Sequence, residues 1–533
     1  MQQPARAQRP ASHALTLVAV SAGLFMLLLD LTIVYIALPS LKASLHASLQ
    51  QLQWIVDAYA MTLAATLLAC GAFADIVGRR RVFCAGLVLF TLASLGCGLV
   101  HTAPALVGAR AVQGVGAAMM FSTAFAIVGV TFEGRARAQA FGLLGAVAAV
   151  AGALGPLVGG ALAQTFGWPT IFFVNVPIGV AALAVALRGV PESRRPDPPP
   201  VDWGGAALLS AVLGLVVLAL LRGNDDGWSS APILALLGGA AACLLLFVLV
   251  ERRRQEPLLE LRLLRRRTFL GVSIAAFAQA ASLFSLLLYV VIYLQGVLGY
   301  GPLTCGLCLL PISLAAVPPG LGAAWLAARV PVRALLSGGL AAVALGLALL
   351  TGAGSSDTWT SLLPAFLLAG FGLGLLNPPL AAAAVDVAPA GRAGLGSGIN
   401  ATFRQVGIAI GVAGYGAIFE RRVVDGVLAR VHGTPLSPYA HRISNAVIAG
   451  GQGESVRDAP PHWQPLIHSI GIDAFVGGLH TIVLVAALVA AVSAAAVAAL
   501  VRSAELRASG DPVDASEPGA GQPLAVVGSR TGS

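Results

Sequence analysis

Long apolar runs recur along the whole of this 533-residue chain, and no other feature constrains its fold as strongly. Residues 14–29 read ALTLVAVSAGLFMLLL, and residues 475–501 are apolar almost throughout. A helix that crosses about 30 Å of hydrocarbon needs about 20 residues, so such runs are of spanning length. A window of about 19 residues is the natural width for finding them. It gives fourteen spans, centred near residues 26, 63, 91, 116, 151, 178, 212, 241, 282, 315, 344, 373, 406 and 488. Composition agrees, because 57% of the residues are apolar and only 10% are charged, against roughly 25% charged in soluble domains. With a mean hydropathy of +0.86, the chain is expected to be an all-α membrane protein whose solvent is the bilayer.

An even number of spans places both termini on one side, and basic residues identify that side, since cationic loops are retained in the cytoplasm. With the N-terminus inside, the inner segments hold 23 of the 32 basic residues, including the runs at 79–81, 252–254 and 265–267. Both termini are therefore expected in the cytoplasm of a multi-pass plasma-membrane protein. The net charge of +9 then faces anionic lipid headgroups and does not point to nucleic acid. The first apolar run continues to Pro39 with no small-residue cleavage site after it, so it reads as an uncleaved first helix rather than a signal peptide. The CGLC at 305–308 has no His or further Cys nearby, which favours small apolar filler over a metal or redox pair. No metal site is expected.

The spans group as six, two and six. After a cytoplasmic N-terminus over 1–13, an N-terminal six-helix bundle is expected over 14–188. Linkers and two inserted helices follow over 189–268, flanked by RGVPESRRPDPPPVDW and ERRRQEPLLELRLLRRR. A C-terminal six-helix bundle is expected over 269–502, with a long outer loop at 420–474. Residues 503–533, rich in Gly, Ser, Asp and Pro, read as a disordered cytoplasmic tail. GRARAQAFG at 134–142 and GRAGLGSG at 391–398 open the fifth and thirteenth spans from the same side, as expected of two related halves with a site between them.

Charges inside the spans are the candidate working parts, because an ionisable group there costs at least about 2.5 kcal/mol. The clear cases are Asp30, Arg110 and Arg404. Counting 1.5 Å per residue puts Asp30 about 12 Å and Arg110 roughly 10 Å below the outer boundary, a matching depth on neighbouring helices. Such a pair reads either as a fixed ion pair or as a proton site whose occupancy biases the bundle between two arrangements. Asp57, about 6 Å from the outer edge, reads either as an outer proton acceptor or as a solvated acid at a helix start. Gly155 and Gly159 flank Pro156 in a GxxxG spacing that permits close helix approach with a kink. In GAFADIVGRRR (71–81), Gly78 permits a tight inner turn and the arginines fix topology. Asp75 reads as a clamp to Arg79, four residues on, or to a helix N-terminus of the other half. No GxxxxGK[ST] phosphate loop is present, which disfavours direct use of ATP.

These residues resemble the major facilitator superfamily, and within it the fourteen-helix drug:proton antiporter branch of the EmrB/QacA type. LDLTIVYIALP (29–39) looks like the first-helix signature of that branch, with Tyr35 where Asn is usual. GAFADIVGRRR matches the loop motif between helices two and three through Gly71, Asp75, Gly78, Arg79 and Arg80. LVGARAVQGVGAA (106–118) matches the fourth-helix motif through Arg110, Gln113, Gly114 and Gly116. GALGPLVGG (152–160) matches the fifth-helix antiporter motif through Gly155, Pro156, Gly159 and Gly160. IFFVNVPIG, YLQGVLGYGPL and SGINATFRQVGIAIG are also similar to branch signatures. The resemblance implies a major facilitator fold, two six-helix bundles plus two inserted central helices, working by alternating access. It implies export of a small organic molecule, a drug or antibiotic, driven by protons moving inward. It makes Asp75 and Arg79 part of a conformational latch and Arg110 part of proton coupling.

Near the midplane, where transporter substrates bind, Arg404, Gln405, Gln279, Tyr289, Tyr293 and Asn377 are the candidate cavity residues, each with an alternative reading as helix-to-helix glue. An exporter of an endogenous metabolite, such as an amino acid, siderophore or biosynthetic product, is the other reading within the transporter class. An enzyme is not expected, because no nucleophile or metal constellation is visible. The proton gradient is the expected energy source, with no cofactor. The expected partners are the small-molecule substrate, protons and lipids, and the chain is expected to be a monomer.

Overall fold

The structure, a computed structural model, describes residues 10–132, 134–194, 202–254, 262–327, 329–354, 357–387, 393–448, 461–502 and 505. The expected N-terminal segment over 1–9, the linker residues 195–201 and 255–261, and the tail apart from 505 lie outside the described residues, as do 449–460 of the outer loop.

Among the described residues fourteen long helices follow one another. The first six are α1 (Pro10–Leu45), α2 (Leu49–Val77), α3 (Arg79–Leu99), α4 (Ala103–Thr131), α5 (Gly134–Phe166) and α6 (Asn175–Gly189). Next come the inserted pair, α7 (Trp203–Asp226) and α8 (Ala231–Arg253). The second set is α9 (Arg267–Val297), α10 (Pro302–Leu321), α11 (Val332–Leu350), α12 (Leu363–Asp386), α13 (Ala393–Val431) and α14 (Gln464–Leu500).

Twelve of the described helices are long and apolar enough to cross a membrane, and thirteen if α2, bent by 51° after Leu67, is one span. That is fewer than the fourteen spans expected. The remaining long helix is α13, in which Arg404, Gln405 and the charged stretch from Glu420 interrupt the apolar run. The outer segment also differs from the expected loop over 420–474. Helix α13 continues to Val431, a short helix Ala440–Ile448 packs on α13 and α14, and α14 already begins at Gln464. Residues that suit helix interiors, such as Glu420, Arg421 and Arg422, carry α13 past its apolar stretch.

Local signals set the ends of these helices. Ser48 caps α2 in a reciprocal box with Gln51, each side chain bonding the other's backbone N–H. Gly78, at φ +124°, forms the turn between α2 and α3, a conformation only glycine adopts without strain. Asp202 caps α7 by accepting from the Gly205 N–H at 2.8 Å. Helix α9 opens into wider π turns at Ala280–Phe284 and Tyr293–Val297, a form common where helices carry function.

Contacts between helix ends fix the topology. The Thr16 hydroxyl near the start of α1 donates to the Gly189 carbonyl at the end of α6. Gln295 at the end of α9 donates to the Ile36 carbonyl near the end of α1, and the Arg502 N–H just past α14 donates to Thr268 at the start of α9. The first and last helices therefore begin and end on one face, called near here; the opposite face is far. Helices α1 to α6 pack as one bundle and α9 to α14 as another, and the two meet along the α5–α10 and α2–α13 seams. The inserted helix α7 lies on the second seam, against both α2 and α13.

The buried apolar residues divide unevenly. On the far side one continuous core draws on both bundles, joining Ile33, Leu38 and Ile55 to Tyr289, Val412 and Phe419. On the near side the bundles have separate cores. One is built around Leu27, Phe83 and Ile127, with Ala401 of α13 its one buried residue from the second bundle, and the other around Val272, Leu336 and Val497. Among the described residues the two halves share one core at the far face and only Ala401 in a buried core toward the near face.

Candidate functional site

The expected partners Asp30 and Arg110 meet in the core of the first bundle, with an Arg110 Nη1 to Asp30 Oδ2 distance of 2.5 Å and at most 2% exposure for either side chain. Hydrocarbon offers neither charge a partner, so each satisfies the other. Gln113 and Asn175 each donate to Asp30 Oδ1 at 2.9 Å. Arg110 also donates to the Gln113 side-chain oxygen at 2.7 Å and to the Ile55 carbonyl at 3.2 Å, and its guanidinium lies 4.2 Å from the Tyr59 ring centre. Asn175 reaches Ser94 at 3.0 Å, and Ser94 donates to the Phe172 carbonyl. One carboxylate thus ties α1 to α4 and α6, and through Arg110 and Asn175 to α2 and α3.

Asp57 lies in α2 with no exposed surface and no hydrogen-bond partner for either oxygen. Its reading as a solvated acid at a helix start is corrected: the side chain is fully buried. It stands on α2, the helix that meets α13 along the second seam. Among the described residues Asp57 is therefore a buried acid without a hydrogen-bond partner, on a helix of the seam.

The loop motif closes on itself and on the end of the first bundle. Asp75 pairs with Arg79 at 2.9 Å, four residues on. Arg80 donates to the Leu187 carbonyl, while Glu192 accepts from the Arg80 N–H at 3.2 Å and lies 3.6 Å from Arg81. Gly78 faces Glu192, and Gly71 is in ordinary contact with Ser122. Among the described residues the clamp joins Asp75 at the end of α2 to Arg79 at the start of α3.

The fifth-helix glycines bring backbones together. Gly155 and Gly159 rest on Thr32 and Ile33 of α1, while Gly160 faces Pro302 and Leu303 of α10 across the seam. A Cβ on Gly160 would stand 2.5 Å from the Pro302 carbonyl oxygen. Gly306 of α10 returns the contact against the Pro156 carbonyl. The close approach expected of these residues is what the structure displays, and it extends to the other half.

The midplane candidates separate into two groups. Tyr289 accepts from Gln53 at 2.9 Å and donates to the Val412 carbonyl, and Tyr293 donates to the Gly354 carbonyl. The Tyr289 hydroxyl ties α9 to α2 and α13, and the Tyr293 hydroxyl ties α9 to the segment after α11. Gln279 donates to Asn377 at 2.6 Å but leaves its own carbonyl oxygen without a partner, as does Gln405. Arg404, half-buried, makes neither an ion pair nor a hydrogen bond among the described residues.

Gln113, named in the fourth-helix motif, stands one turn from Arg110 on the same helix face, while Asn175, the polar residue in the quoted run IFFVNVPIG, was not singled out although its signal was available. The far-face fastenings carried no such signal. They are Gln53 to Tyr289, Gln295 to the Ile36 carbonyl, and Gln164 accepting from the Leu303 N–H.

Known proteins agree with this architecture. The chain is 34% identical to the "Multidrug resistance protein Stp" of Mycobacterium tuberculosis, over 81% of this chain and 79% of that one. It is 32% identical to the "Tetracenomycin C resistance and export protein" of Streptomyces glaucescens, over 77% of this chain and 76% of that one. Its fold is that of a bacterial homologue of the human lysosomal transporter Spinster, with a TM-score of 0.64 at 15% identity over 94% of this chain and 99% of that one. Residues 20–412 match the family model described as the Major Facilitator Superfamily, and the chain belongs to that superfamily.

Proposed function

We propose that the protein is a proton-coupled antiporter that exports small organic molecules, drugs or antibiotics, across the plasma membrane by alternating access. The observation that carries this reading is the buried acid Asp30, held by Arg110, Gln113 and Asn175 at the junction of five helices. Changing its protonation changes the bonding of every helix it touches. Asp57, without a hydrogen-bond partner among the described residues and on the helix that packs against α13, is the second proton acceptor in this reading. The shared far core and the separate near cores support a closed far face and a substrate path from the near face. The basic residues at 79–81, 252–254 and 265–267 cluster there, which makes the near face and both termini cytoplasmic. The similarity to proteins named for multidrug resistance and for antibiotic export supports drugs or antibiotics as cargo.

The test is expression in an efflux-deficient bacterium, followed by a susceptibility panel with and without a protonophore. Protection against at least one compound that the protonophore removes is the expected result. Protection that survives collapse of the proton gradient would overturn the coupling, and Asp30→Asn protein as protective as the parent would overturn the role of that acid.

A further inference from the structure

We propose that the transported molecule is bound through an anionic group, a carboxylate or acidic phenol, by Arg404 and Asn400 of α13. Among the other charges in the interior of the described spans, Asp57 alone lacks a partner. Arg110 has Asp30, and Glu420 toward the far end of α13 has Asn224. Asp57 is an acid and needs a cation or a proton. Arg404 is the one interior cation that no carboxylate among the described residues approaches within 4.0 Å. A guanidinium so placed costs at least about 2.5 kcal/mol and marks a function by default.

A second observation gives the site its sign. Asn400 lies four residues before Arg404, on the same face of α13, and its side-chain NH2 is buried with no acceptor. Two donors of adjacent side chains therefore stand open, one of them charged, and what satisfies both is a group with acceptor oxygens and a negative charge. A planar carboxylate matches the guanidinium fork. The face is also one on which the wall of the second bundle comes close: Gly407 and Gly411 continue the stripe by about one and two turns, and a Cβ on either would strike the Phe277 carbonyl or Ser285 of α9. The cation is held on a rigid helix pair rather than on a mobile loop.

This assignment rests on the export reading and adds the class of cargo, so the experiment separates the two. Purified protein in nanodiscs of phosphatidylcholine, which has no net charge, is titrated with naphthalene, anthracene and pyrene carboxylates and with their methyl esters, by ligand fluorescence. The carboxylates are expected to bind about tenfold more tightly than the esters, the gain of one charge-assisted pair. Arg404→Gln is expected to bring that ratio to near one. Arg404→Lys keeps the charge without the fork and is expected to fall between them. Asn400→Leu is expected to lower the ratio by about threefold, the loss of one neutral donor. A ratio near one in the parent protein, no binding of any carboxylate, or a ratio unchanged in these variants overturns the assignment. If Arg404→Gln does not yield folded protein, an unchanged ratio in both Arg404→Lys and Asn400→Leu overturns it alone. Protonophore-sensitive export is measured in parallel: its persistence without anion preference sinks only the cargo class, and anion preference without it sinks only the coupling.

Discussion

Asp30→Asn isolates the central claim that the interior ion pair is both a structural tie and a proton site. Asp30 accepts three bonds, two at one oxygen and one at the other. Asparagine replaces one of those oxygens with an NH2 group, which would face either the Arg110 donor or the donors of Gln113 and Asn175. The substitution thus removes the counter-charge of a cation that is 2% exposed and sets donor against donor. Breaking a buried pair from one side costs about 3–5 kcal/mol, much of it the charge left behind. Asp30→Asn with Arg110→Gln has no charge left behind, so it should recover at least about 2 kcal/mol of that loss. Unfolding in mixed SDS micelles measures the three variants, and proton-driven uptake into everted vesicles measures function. The expected outcome is a restored double variant that remains inactive. Two results would refute the reasoning: stability losses that simply add, which deny the pair, or a double variant that transports as well as the parent, which leaves the pair structural and nothing more.

The other substitutions probe the seams and the loop motif. Gly160→Ala puts a methyl group against the Pro302 carbonyl and Leu303, and should cost about 1–3 kcal/mol of far-face closure. A cysteine at Leu298 in a cysteine-free background should then label faster, and unchanged labelling would count against the contact. Gln53→Leu removes the bond to Tyr289 and should open the far face by about 1 kcal/mol, roughly fivefold in population; the same label reads it. Asp57→Asn should abolish the response of transport to the proton gradient while leaving unfolding within about 1 kcal/mol of the parent, since no bond is lost; an intact gradient response contradicts the assignment. Glu192→Ala removes the acceptor of the Arg80 N–H and the neighbour of Arg81, and should destabilise the first bundle by about 1 kcal/mol; melting at the parent temperature would show the contact to be idle.

What could be read from the sequence follows from the solvent. In hydrocarbon a helix must be long and apolar, and a charge must be paired or functional, so the spans and the meeting of Asp30 with Arg110 were visible in a single chain. Depth along a helix is simple arithmetic, which is why two residues 80 positions apart could be matched. Rotation about the helix axis is not written so plainly. Tyr289 and Tyr293 carried two readings at that depth, cavity or glue, and only the structure shows that one hydroxyl bonds α13 and the other the segment after α11. Asp57 was placed near the boundary by counting, and counting along a helix does not show that its side chain is fully buried. The far-face bonds of Gln53, Gln164 and Gln295 join residues whose proximity depends on how the halves lean, and no local pattern encodes that angle.

Helix α7 receives the Gln50 side chain of α2 at its Leu221 carbonyl, and its own Asn224 grips the Ala417 carbonyl and Glu420 of α13. Helix α7 is therefore fastened to both bundles at once, like a splint laid across a joint, and the proposed alternating access would have to work against it. Any swing that parts α2 from α13 on that side must first unhook one end of it, so the splint sets a threshold for the swing. A chain whose halves are bridged only by a slack tether has no such threshold. Shortening the grip at Asn224 or Gln50 should speed the turnover of the cycle and weaken its refusal to slip without cargo.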